Sequence, residues 1–174
     1  MRILSFILLI AAALASSTLR ADDWPTYRHD SRRSGVSAAT LKFPLSESWQ
    51  VKGGYPRQAW SGPAKWDAYS GNSGLQSMRN FDPCFYVTSV GNLVYFGSSH
   101  DNAVHALDAE TGEERWVFFT EAPVRLPPTI HGGVAFAGSD DGHLYALDAR
   151  SGNLLWKDRG APDDRRIPSN ASMI

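Results

Sequence analysis

The sequence predicts an all-β fold of the β-propeller class, and three observations carry that expectation. Val94-Tyr95-Phe96, Asp101, Ala106-Leu107-Asp108-Ala109, Gly112 and Trp116 return at a constant offset of forty as Val134-Ala135-Phe136, Asp141, Ala146-Leu147-Asp148-Ala149, Gly152 and Trp156. A fixed period near forty with strand-like content is the signature of a propeller blade. Within each repeat, short β-branched and aromatic runs alternate with turns holding Gly, Asn or Asp, where a positive φ is cheap. Each repeat also closes on a tryptophan. A blade cannot bury both faces alone, so neighbours must cover it, and the two indoles are expected in like surroundings.

The elements follow in order. Met1-Arg2, an apolar run from Ile3 to Ala15 and then small residues have the layout of a secretory signal over 1–21. The run is too short for a bilayer-spanning anchor. Cleavage fits after Ala15 or after Ala21, and Trp24 is expected to open the folded part. Removing 1–21 takes Arg2 and Arg20 from the 17 basic residues and none of the 18 acidic ones, so the remaining chain is acidic and no nucleic-acid partner is expected. Cys84 is the single cysteine, which excludes an internal disulfide. Residues 22–44, rich in turn formers and charge, read as an extended lead-in wrapped on the surface. Residues 45–51 alternate apolar and polar and read as a lone strand, expected to close the ring as the outer strand of its last blade. Residues 52–80 lack alternation and form a long insertion loop.

Blade one spans 81–121, with strands expected at 85–89, 93–98, 103–109 and 114–118. Blade two spans 122–160, with strands expected at 128–130, 134–138, 143–149 and 154–157. Residues 161–174 begin the next connection. Propeller rings take about four to eight blades, so two blades predict that this sequence is the N-terminal part of a longer chain.

The segments Ala106-Leu107-Asp108-Ala109-Glu110-Thr111-Gly112-Glu113-Glu114-Arg115-Trp116 and Ala146-Leu147-Asp148-Ala149-Arg150-Ser151-Gly152-Asn153-Leu154-Leu155-Trp156 share the form A-x-D-x-x-[ST]-G-x-x-x-W. This resembles the tryptophan-docking repeat of the pyrroloquinoline-quinone (PQQ) family of propellers, over residues 85–158 and more loosely at Trp49. The resemblance implies that the motif is structural: the tryptophan docks on the neighbouring blade while Asp and Thr-Gly shape the turn. The residues themselves point the same way. An Asp side chain can hold nearby amides, Gly suits a left-handed position, and an indole buries a large area while needing one acceptor. Ala106, Asp108, Thr111, Gly112 and Trp116, with Ala146, Asp148, Ser151, Gly152 and Trp156, are therefore builders rather than catalysts.

The family holds quinoprotein alcohol and sugar dehydrogenases that carry PQQ and calcium on the ring axis, and scaffold propellers that bind partner proteins without a cofactor. Alcohol-type members generally show a vicinal cysteine pair, and the solitary Cys84 counts against that class. Ser99-His100-Asp101-Asn102 and Ser139-Asp140-Asp141-Gly142 cluster oxygen ligands, but a hairpin turn explains them without metal. His100, His105, His131 and His143 lack metal-ligand spacing, and no G-x-S-x-G elbow is present. The insertion loop carries Tyr55, Arg57, Trp60, Trp66 and Arg79, the residue types that dominate binding hot spots, on a loop expected to cap the mouth of the ring and contact a protein or small molecule. The preferred expectation is an exported, periplasmic or secreted binding or scaffold module. The alternative is a PQQ- and calcium-dependent dehydrogenase oxidising an alcohol or a sugar.

Overall fold

A computed structural model describes residues 22–55 and 86–160. The expectations for 1–21, for Arg57, Trp60, Trp66, Arg79 and Cys84, and for 161–174 lie outside the described residues. Two four-stranded antiparallel sheets follow one another along the chain. The first holds β1 (Thr88–Val90), β2 (Leu93–Ser98), β3 (Ala103–Asp108) and β4 (Glu114–Phe119); the second holds β5 (Thr129–His131), β6 (Val134–Gly138), β7 (His143–Asp148) and β8 (Leu154–Arg159). Each is an up-and-down meander, the topology of a propeller blade.

The repeat is less regular than the constant offset suggested. Leu93 pairs with Asp108 and Tyr95 with Ala106, whereas Val134 pairs with Asp148 and Phe136 with Ala146. The third strands are thus forty residues apart and the second strands forty-one. Thr88 faces Tyr95 and Thr129 faces Phe136, so the innermost strands share the slip. Its cause is a shorter turn in blade two. Ser98 pairs with Ala103 across residues 99–102, but the equivalent Ser139 donates its amide to the His143 carbonyl across only 140–142. The structural counterpart of Tyr95 is therefore Phe136 and not Ala135.

The core is the seam where the two sheets face each other. Tyr95, Val104, Ala106 and Trp116 from the first blade pack with Ile130, Ala135, Ala137, Tyr145 and Leu147 from the second. Alternation along each strand selects these residues, because every second side chain faces the neighbouring blade. The connection between β4 and β5 threads along this seam: the Val124 amide donates to the Ser98 carbonyl and the Ser139 hydroxyl to the Ala122 carbonyl. Gly97 makes the passage possible, since a side chain there would sit 2.6 Å from both the Leu126 carbonyl oxygen and Val124 Cγ1.

The lead-in does more than wrap the outside. Trp24 and Ser89 exchange two backbone hydrogen bonds, at 2.7 and 2.9 Å, along the free edge of β1. One residue on, the Pro25 carbonyl accepts from the Ile130 amide of β5, and Thr26 Oγ1 meets Thr129 Oγ1 at 3.0 Å. Residues 24–26 thus strap the innermost strands of both blades together. Residues 45–51 are not in a strand, and their link to blade one is through Trp49.

Candidate functional site: the seam between the blades

Each motif turn is a closed local device. Asp108 Oδ1 accepts from the amides of Glu110 and Thr111 at 2.9 and 3.0 Å, while the Gly112 amide donates back to the Asp108 carbonyl at 2.9 Å. In blade two, Asp148 Oδ1 accepts from the amides of Arg150 and Ser151, and the Gly152 amide donates to the Asp148 carbonyl at 2.8 Å. Ser151 Oγ adds a donor to the same carboxylate at 2.8 Å. The amides of Thr111 and Glu110 hold the Asp108 carboxyl below its usual range. The hydroxyl and amide of Ser151 do the same for Asp148.

The indoles use these turns as seats. Trp116 Nε1 donates to the Ala149 carbonyl at 3.1 Å, and the indole face covers Gly152, where an added Cβ would lie 2.6 Å from the ring. Gly152 has φ +74°, a conformation glycine adopts without penalty. Tyr95 Oη donates to the same Ala149 oxygen at 3.1 Å. Burial, with the nearby Asp148 and Asp23 carboxylates, pushes the Tyr95 phenol up to about 12. Trp49 repeats the arrangement one blade earlier: Nε1 donates to the Ala109 carbonyl at 3.0 Å, and the ring covers Gly112, also at φ +74°. The expectation that Trp116 and Trp156 share surroundings does not hold for the described residues. Trp116, with blade two against it, is 9% exposed, and Trp156, on the far flank of blade two, is 45% exposed.

Two hollows flank these seats. One, of about 320 Å³, lies on the outer face of blade one between Trp49, Tyr86, Phe96, Leu107 and His100 and is mainly apolar. Of the predicted loop residues, Tyr55 alone is described; it is fully open to solvent, its carbonyl oxygen 3.3 Å from His100 Nδ1. The other, of about 740 Å³, opens at the seam itself, at the end of the sheets carrying the β1–β2, β5–β6 and β7–β8 turns. Asp23, Arg115, Asp148 and Arg150 give it its charge, His131 adds a polar edge, and Val90, Leu93 and Ile130 give it apolar walls. Sequence reasoning missed this cleft because Arg115 reaches it through a bulge: Ala106 pairs with Trp116 but Leu107 with Glu114, leaving Arg115 unmatched.

The other polar clusters make contacts in and around their hairpins. His105 lies between two carboxylates, Nε2 at 3.0 Å from Asp101 and Nδ1 at 2.8 Å from Glu114, with its ring stacked on Phe96. Asp141 accepts from Tyr145 Oη at 2.6 Å and from the His143 amide at 2.8 Å. Burial opposes the Asp141 charge, but these donors outweigh it and the carboxyl sits below its usual range. Burial and the Asp141 carboxylate push the Tyr145 phenol up. Asp101, Asp108 and Asp148 each turn their oxygens into their own hairpin, and Asp141 divides its oxygens between its hairpin and the Glu121 amide.

The capped turn, the seated indole and the meander sheets together define a propeller built of PQQ-type repeats. A family model described as outer membrane protein assembly factor BamB matches residues 49–174, and the chain belongs to that family. No curated protein sequence matches. Among solved structures, BamB from Moraxella catarrhalis is 29% identical over 40% of this chain and 21% of that one, with a TM-score of 0.37. A europium-containing methanol dehydrogenase is 27% identical over 43% of this chain and 15% of that one, with a TM-score of 0.39. Quinohemoprotein alcohol dehydrogenase from Comamonas testosteroni is 19% identical over 86% of this chain and 23% of that one, with a TM-score of 0.45. The matched parts span less than a quarter of the length of each of these structures.

Proposed function

We propose that this protein is an exported binding or scaffold propeller, working in the periplasm or outside the cell by holding a partner rather than by catalysing a reaction. One observation carries the reading: the polar and aromatic side chains of the repeat are consumed in construction. Asp108 and Asp148 hold their own turns, and Trp49 and Trp116 donate to the neighbouring turn. What remains for a partner is surface, namely the seam cleft and the apolar face of blade one, together with the insertion expected over 52–80, whose Tyr55 lies beside His100. The layout of residues 1–21 supports export. Trp49 sits on blade one in the seat that Trp116 occupies one blade on, which supports residues 45–51 as the segment that closes the ring, by docking this indole rather than by forming a strand.

The test is to express the whole reading frame in a bacterial periplasm, add PQQ with calcium, and follow dye reduction with a panel of alcohols and sugars. The expected result is no reduction above the control lacking quinone. Turnover would replace this reading with the dehydrogenase one.

A further inference from the structure

We draw no further inference here: the strongest candidate, the apolar hollow on the outer face of blade one between Trp49, Tyr86 and Phe96, is an unpartnered sheet face, and nothing among the described residues shows what covers it.

Discussion

At the scale of single residues, stability is concentrated where an indole meets a glycine. Gly152→Ala would place a methyl 2.6 Å from the Trp116 ring at a φ of +74°. We expect a loss of roughly 2–4 kcal/mol, combining left-handed strain with overpacking, measured as a lower denaturant midpoint. A midpoint unchanged from wild type would mean that the indole moves aside freely. Acid should act through the turn carboxylates. Asp108 and Asp148 are held below their usual range by hydrogen bonds formed in the fold. Their contribution is therefore complete above the unfolded value of about 4 and is lost as pH falls through their lower folded values. Tryptophan-monitored melts from pH 6 down to pH 2 should show the midpoint falling in that window, and D148N should flatten the fall. An unaltered pH profile in D148N would remove the Ser151 contacts from the explanation.

At the scale of elements, the outer half of each blade was legible in the sequence and the inner half was less so. The turn after Asp108 is closed by the amides of Glu110, Thr111 and Gly112, all within a few residues, so a linear motif records it. The inner strands are set by the hairpin between β2 and β3, and Val94-Tyr95-Phe96 looks equally well matched to Val134-Ala135-Phe136 whether or not that hairpin loses a residue. Because side chains alternate faces, that single slip exchanged the counterpart of Tyr95 from Ala135 to Phe136. The strap was invisible for a different reason: Trp24 and Pro25 offer only main-chain groups to β1 and β5, and backbone pairing leaves no side-chain signature. Arg115 looked like one charge on an edge strand until the bulge turned it. The strap has a direct test. Ser89→Pro removes the amide that donates to Trp24, on the edge of β1 away from β2. A loss of about 1–3 kcal/mol is expected, with faster hydrogen exchange at the Trp24 and Ile130 amides. Exchange at Ile130 that stays slow would show that the two blades are joined without this segment.

At the scale of the whole molecule, one continuous core runs between the sheets, so neither sheet has a hydrophobic core of its own among the described residues. The two blades should therefore open as one cooperative unit. Native-state hydrogen exchange is expected to give the amides of β3 and β7 the same opening free energy, and Trp116→Ala to lower both together by about 3–5 kcal/mol. Retained protection in β7 of that variant would divide the molecule into two independent units.

The arrangement also has a direction. Trp49 already fills the recess above Gly112, so the docking series is set from the amino-terminal side, and any other indole could take that place only by evicting it. The lead-in thereby decides which tryptophan blade one accepts.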